Sequence, residues 1–142
     1  MARKLEPLDL IRVVVGVVFI TEGLLKFLHP GDLGSGRFAR IGLPFPGALG
    51  PAVGAVEIAG GLAVLLNLAP GFAALALLGV ITTALLTTKV PILLGRPLGR
   101  FTLMKVPYYG VLGFLHEART DLSMFAGTLA LLWRNGFRGK AR

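Results

Sequence analysis

The sequence predicts an all-α fold, an integral membrane four-helix bundle. Hydrophobic residues make up 54% of the 142 residues, and the mean hydropathy is +0.76. A soluble domain is only about 45–50% apolar even with glycine counted. A helix needs about 20 residues to cross a hydrocarbon core of roughly 30 Å. Four crossings and their connections therefore use residues 1–142 as a single membrane domain and leave no room for a soluble one.

The first predicted helix covers about residues 8–28. Asp9 stands in its first turn, and His29-Pro30-Gly31 ends it, since proline and glycine interrupt helices. Basic residues precede this apolar run, as they do in a signal peptide. However, no small-residue cleavage site follows, and Glu22 and Lys26 interrupt the run. We therefore interpret it as a membrane helix that is retained.

Two further helices are predicted in the middle of the chain. Residues 29–46 are rich in glycine and proline and are interpreted as an extramembrane loop. The second helix is predicted over about residues 47–68. A tight turn follows, and the third helix is predicted over about 70–90, stopped or kinked at Pro91.

The C-terminal part of the chain combines an ambiguous segment with the last helix. Residues 96–111 mix cations with aromatic rings, which is typical of the headgroup layer, so we predict an interfacial or re-entrant segment; a lid over a cavity is the alternative. The last helix is predicted over about 112–133. Its apolar run from Leu122 is too short to span a bilayer, so the helix must begin upstream and carry Arg119 and Asp121 into the membrane.

Charge and composition indicate orientation and partners. An even number of spans puts both termini on one side, and these termini are basic, so the positive-inside rule predicts a multi-pass protein of the cell (plasma) membrane with both termini cytoplasmic. The basic terminal residues are Arg3, Lys4, Arg134, Arg138, Lys140 and Arg142. The lipid bilayer is the expected partner of this charge, nucleic acid is not, and a homo-oligomer is left open. Cysteine is absent, so thiol–disulfide chemistry and thiolate metal sites are excluded.

Six charged residues in the predicted spans are the candidate functional site. They are Glu22, Lys26, Glu57, Lys89, Arg119 and Asp121. Counted along their helices, all six fall in the outer half of the bilayer. Three acids and three bases can compensate one another, and charge at this depth is a default indicator of function. We predict that the cluster binds a ligand or handles protons, and we assign no catalytic residue.

The pairing within this cluster has alternatives. Glu22 stands one turn before Lys26, as an ion pair on one helix requires, and such a pair can be purely structural. Glu57 has no partner on its own helix, so it needs one from another span or a proton. Asp121 can be simply an acidic residue at a helix N-terminus. No metal site is predicted, because His29 and His116 lack other clustered ligands.

Small residues form a stripe on each of the first two helices. Gly16 and Gly23 lie on the face of the first helix that carries Lys26, and Gly54 and Gly61 lie on the face of the second that carries Glu57. Small residues let membrane helices approach closely. Both stripes should therefore face the bundle and direct the charged residues inward.

These stripes belong to a pattern that resembles the DoxX family of small four-helix membrane proteins. The first helix reads R-V-V-V-G-V-V-F-I-T-E-G-L-L-K-F, followed by F-A-R-I-G-L-P-F-P, then V-E-I-A-G-G-L-A-V-L-L-N-L, and finally H-E-A-R-T-D-L-S-M-F-A-G-T-L-A-L-L. The resemblance implies a membrane subunit of a redox assembly, with quinone as the candidate cofactor and redox subunits as partners. A small proton-coupled transporter or channel, or a purely structural partner protein, are the alternatives.

Overall fold

The computed structural model describes residues 3–136, and these residues contain helices and no strand. The helices are α1 (Pro7–Leu28), α2 (Ser35–Ile41), α3 (Pro46–Leu65), α4 (Pro70–Ala84), α5 (Val90–Leu94), α6 (Gly110–Glu117) and α7 (Arg119–Asn135). A π-helical turn, Leu85–Lys89, joins α4 to α5. The all-α prediction is confirmed. The predicted basic residues Arg138, Lys140 and Arg142 lie outside the described residues.

Four long helices form a ring. α1 packs against α3, α3 against α4, α4 against α7, and α7 against α1. The centre is filled by apolar side chains, among them Val15, Phe19, Val64, Leu77 and Leu131. The short helix α2 packs on α3 near the end of the ring where α1 finishes and α3 begins.

The outside of the ring is apolar as well. Val17 of α1, Leu62 of α3, Leu75 of α4 and Leu129 of α7 are all at least two-fifths exposed, whereas the side chain of Glu57 is buried. Large exposed apolar surfaces on a water-soluble monomer are rare. An apolar exterior with a charged side chain buried inside the bundle is the distribution that a lipid environment favours.

Two helices are long and apolar enough to cross a membrane, judged on the described residues. They are Pro46–Leu65 and the continuous helical stretch Pro70–Leu94. α1 has 22 residues but carries four charged ones, and α7 has 17 residues. Four spans therefore stay a prediction.

The third helix differs from the prediction, because it continues through Pro91 to Leu94. Pro91 stands in the first turn of α5, where a backbone N–H is not needed. The π turn just before it has already changed the hydrogen-bonding pattern, so the proline breaks nothing further. Of the two predicted alternatives at Pro91, a stop or a kink, the stop is wrong.

Three other boundaries are also corrected. The segment 29–46 is not only a loop, because it contains α2. The predicted helix over 112–133 is two helices, interrupted at Ala118, whose backbone is not helical (φ −93°, ψ 5°). Next to this break the Arg119 guanidinium donates a hydrogen bond to the carbonyl of His116. α3 ends at Leu65, three residues before the predicted position 68.

A charged cavity at one end of the bundle

The bundle contains a cavity of about 510 Å³ among its helix ends. It lies where the end of α1 meets the beginnings of α3 and α7 and the end of α4, under α2. Its lining residues are Glu22, Lys26, Leu33, Arg37, Phe38, Ile41, Leu43, Leu49, Val53, Glu57, Ala76, Gly79, Val80, Thr83, Ala84, Thr87, Thr88, Lys89 and Asp121. The volume is within the range of roughly 300–1,000 Å³ found for small-molecule sites.

The most buried charge of the cavity is paired across two helices. The Nζ atom of Lys26 on α1 lies 2.8 Å from Oε1 of Glu57 on α3, and the two side chains are 12% and 2% exposed. Glu57 thus has a partner from another helix. A pair between Glu22 and Lys26 is not found among the ion pairs of the described residues, so the predicted pair on α1 is replaced by one between helices.

Four glycines bring α1 and α3 close enough for this pair. A Cβ atom at Gly16 would lie 3.0 Å from the carbonyl oxygen of Gly61, and one at Gly23 would lie 2.6 Å from that of Gly54. The two contacts are two turns apart on each helix and run in opposite directions along the chain. We call these four residues the glycine seam. It sets the separation at which the Lys26 stem can cross to Glu57.

A second ion pair closes the opposite wall. Nζ of Lys89 lies 3.5 Å from Oδ2 of Asp121, with side chains 12% and 23% exposed. Lys89 is the last residue of the π turn. An inserted π turn rotates the residues that follow it relative to an ideal α-helix, and such turns are frequent at functional sites.

Threonine hydroxyls line the α4 side of the cavity. The hydroxyls of Thr83, Thr87 and Thr88 donate to the carbonyl oxygens of Gly79, Thr83 and Ala84, at 2.9, 2.8 and 2.6 Å. Each hydroxyl proton is therefore used within its own helix. The oxygen atoms keep lone pairs, so these side chains can serve a ligand as hydrogen-bond acceptors.

The remaining predicted site residues have different positions. Glu22 lines the cavity, is exposed, and forms no ion pair or hydrogen bond with any described residue. Arg119 does not line the cavity: it is exposed and turned toward His116. Its inclusion in the buried cluster is therefore corrected, because the break at Ala118 places it at the outer surface of α7.

Sequence reasoning missed Arg37. This residue of α2 lines the cavity and is half-buried, and it forms no ion pair or hydrogen bond with the residues that the structure describes. It was overlooked because residues 29–46 were interpreted as an extramembrane loop. The available signal was the i, i+3 spacing of Phe38 and Ile41, which are both buried and give α2 an apolar face.

Part of the segment 96–111 fastens α2 in place over the cavity. Nε of Arg100 donates to the carbonyl of Gly42 at 2.8 Å. Thr102 donates twice, from its hydroxyl to the carbonyl of Arg40 at 2.8 Å and from its backbone N–H to that of Ile41 at 3.0 Å. The segment is thus tied to the helix that carries Arg37.

Comparison with known proteins identifies the family. The sequence model of the DoxX family matches residues 8–90, more than half of the chain. The chain belongs to the DoxX family. The DoxX match covers α1 to the π turn and so includes Lys26, Glu57 and Lys89, whereas Asp121 lies beyond it.

A relative of this DoxX protein extends the comparison. An uncharacterized membrane protein of Mycobacterium tuberculosis is 44% identical over 126 residues, which are 87% of this chain and 71% of the relative. No solved structure matches the chain. Among the described residues, no three His, Cys, Asp or Glu side chains are grouped as a metal site would require. The protein is a DoxX-family membrane protein.

Of the two ion pairs in the cavity, the pair of Lys89 with Asp121 should contribute less to stability than the pair of Lys26 with Glu57. Asp121→Asn is expected to lower the free energy of unfolding by about 1 kcal/mol, because partly exposed pairs contribute little. Glu57→Gln should lower it several-fold more, since its pair is shorter and more buried. Unfolding of both variants in the same detergent checks the order. Equal losses of unfolding free energy in the two variants would contradict the expectation that the more buried pair stabilises the protein more.

Proposed function

We propose that this DoxX-family protein binds a small lipophilic molecule, a quinone, in the charged cavity, and that it serves as the membrane subunit of a quinone-linked redox assembly. One observation carries the proposal: a ligand-sized cavity with apolar walls holds two ion pairs inside a bundle whose outer surface is also apolar. Ligand sites usually combine apolar walls with a few placed polar groups.

The walls suit a ring with an apolar chain. Leu49, Val53 and Val80 supply apolar surface, while the ion pairs and threonine oxygens supply polar contacts. Gly79 and Thr83 line the cavity and are also exposed, and a Cβ atom at Gly79 would meet nothing within 4 Å. We propose that the ligand enters here from the lipid and that its chain leaves here.

The chain's own contribution would be binding and electrostatics. The sequence has no cysteine, so electrons cannot be carried by a thiol or disulfide of this subunit. A quinone supplies the redox chemistry when it is bound. If the protein takes part in an enzyme, we propose that it does so as a subunit of a quinone-linked oxidoreductase, whose partner subunits supply or accept the electrons.

The membrane topology we propose has four spans, formed by α1, α3, the stretch Pro70–Leu94, and α6 with α7, as one domain over residues 1–142. Leu8 and Arg134 line one shallow surface depression, so the start of α1 and the end of α7 lie at the same end of the bundle. The basic residues near these ends favour the cytoplasmic side of the cell membrane. The cavity would then lie in the outer half.

A proton-coupled transporter is the second candidate. Glu22 and Glu57 both line the cavity, and acidic residues inside a membrane are typical of proton paths. Flux of protons in liposomes that Glu22→Gln abolishes would favour this function over quinone binding.

Blocking the cavity should remove the ligand. The experiment is purification with native lipids, followed by organic extraction and measurement of quinone per protein. Gly79→Phe should lower the quinone content at least about tenfold, because the ring would occupy the open side of the site. The matched control is Gly47→Phe, since a Cβ atom there also meets nothing within 4 Å and the residue does not line the cavity.

Two results would contradict the proposal. One is wild-type protein that carries no quinone and takes none up from quinone-loaded lipids. The other is a Gly79→Phe protein that keeps the same quinone content as Gly47→Phe.

A further inference from the structure

Two of the charged side chains that line the cavity have no ion-pair partner among the described residues. Lys26 is paired with Glu57, and Lys89 with Asp121. Of the charged residues that line the cavity, Arg37 and Glu22 remain, one cation and one anion, and neither forms an ion pair or hydrogen bond with a described residue. A charged side chain in an apolar setting is stabilised only when it finds a polar partner.

We propose that Arg37 and Glu22 bind the polar head of the ligand and that they select its reduced, hydroxyl-bearing form, a hydroquinone over the quinone. This inference rests on the proposed function. Arg37 is a donor with no acceptor capacity, and an ionised Glu22 is an acceptor with no donor. A hydroquinone hydroxyl can donate to Glu22 and accept from Arg37, so it satisfies both groups.

The oxidised form satisfies only one of them. Both oxygens of a quinone are acceptors, so one can accept from Arg37, but neither can donate to Glu22. A carbonyl oxygen facing a carboxylate is repelled, and the carboxylate loses hydration without gaining a hydrogen bond. The threonine oxygens also favour the hydroquinone. The hydroxyls of Thr83, Thr87 and Thr88 donate hydrogen bonds to backbone carbonyls, so they can only accept from a ligand.

The charge balance favours a neutral head group over an acidic one. The six charged residues of the lining are three acids and three bases, which sum to zero. A neutral hydroquinone preserves that balance. A carboxylate or phosphate amphiphile would bind Arg37 but would leave one uncompensated negative charge among low-dielectric walls.

Preferential binding of the reduced form raises the midpoint potential of the bound quinone–hydroquinone couple. A ligand that binds more tightly when reduced is easier to reduce in the site than in the lipid. For a two-electron couple, a tenfold ratio of dissociation constants raises the midpoint potential by about 30 mV. The site would therefore hold the product of quinone reduction or the substrate of hydroquinone oxidation.

The test is a binding comparison on the full chain in nanodiscs made from quinone-free lipid. The probes are a decyl-substituted benzoquinone, the same compound kept reduced under anaerobic conditions, and decanoate as an acidic amphiphile. We expect the hydroquinone to bind at least about tenfold more tightly than the quinone, as one additional hydrogen bond to a charged group implies. Decanoate should bind more weakly than either.

Glu22→Gln should abolish or reverse this ratio, because the amide can donate to a quinone carbonyl. Arg37→Leu should weaken the binding of both the quinone and the hydroquinone. The matched control is Glu117→Gln, the same change on α6 outside the cavity lining, and it should leave the ratio unchanged.

Equal binding of the two redox forms by the wild-type protein would overturn the inference and leave the proposed function standing. So would a ratio that Glu22→Gln does not alter, or a preference for decanoate. If neither redox form binds, the proposed function itself fails. The wild-type ratio requires no variant, so it decides the matter even if a variant does not fold.

Discussion

Lys26→Met is expected to lower the free energy of unfolding by about 3–5 kcal/mol, the largest effect of any single change considered, because it leaves a buried carboxylate without its partner. Glu57 is 2% exposed and its Oε1 atom lies 2.8 Å from Nζ of Lys26. Adding Glu57→Gln to Lys26→Met should recover much of the loss, since removing both charges of a buried pair can be nearly neutral.

A double-mutant cycle in detergent measures this coupling. The cycle of Lys26→Met with Glu57→Gln should give an interaction free energy of at least about 1 kcal/mol, as expected for groups in contact. The matched cycle with Glu22→Gln should give a smaller value, because Glu22 does not pair with Lys26. A larger coupling of Lys26 to Glu22 than to Glu57 would contradict the pairing of Lys26 with Glu57.

The second large effect is expected in the glycine seam. Gly23→Leu should lower the free energy of unfolding by about 3 kcal/mol or separate α1 from α3, because overpacking a closely packed contact is destabilising. Already the Cβ atom would lie 2.6 Å from the carbonyl oxygen of Gly54 and 2.7 Å from Cγ1 of Ile58. A backbone oxygen cannot move away as a flexible side chain can.

Gly47→Leu is the control for this substitution, because a Cβ atom at Gly47 meets nothing within 4 Å. Unfolding of the two variants in the same detergent should separate them clearly. If Gly23→Leu is as stable as Gly47→Leu, the close approach of α1 and α3 is not required.

The parts of the fold that follow from a local pattern could be predicted. The glycine and charge spacing on α1 and α3 repeats every three to four residues, so which face points inward can be read from the sequence. The same periodicity placed Lys26 and Glu57 on inward faces. The ion pair between Lys26 and Glu57 could not be predicted from the sequence. Glu22, the i, i+4 neighbour of Lys26, and an acid on another helix are equally suitable partners until the packing of the helices is known.

The parts that depend on tertiary packing or short elements were missed. α2 has seven residues and is too short for periodicity to distinguish it from a loop, so Arg37 was overlooked. The π turn has no clear sequence signal, and it explains both the continuation through Pro91 and the position of Lys89. The break at Ala118 is a backbone feature inside an otherwise helical stretch, and it displaces Arg119 from the predicted cluster.

Photo-crosslinking tests most directly whether the charged cavity is a binding site for a lipophilic quinone. An azido-substituted quinone would be added to the protein in native-lipid nanodiscs, illuminated, and its attachment sites located by mass spectrometry. We predict labelling of cavity residues such as Val53, Val80 and Thr83, which an excess of unmodified quinone suppresses and Gly79→Phe abolishes. Labelling confined to outward-facing residues such as Leu62 or Leu129, and unaffected by competing quinone, would contradict the account.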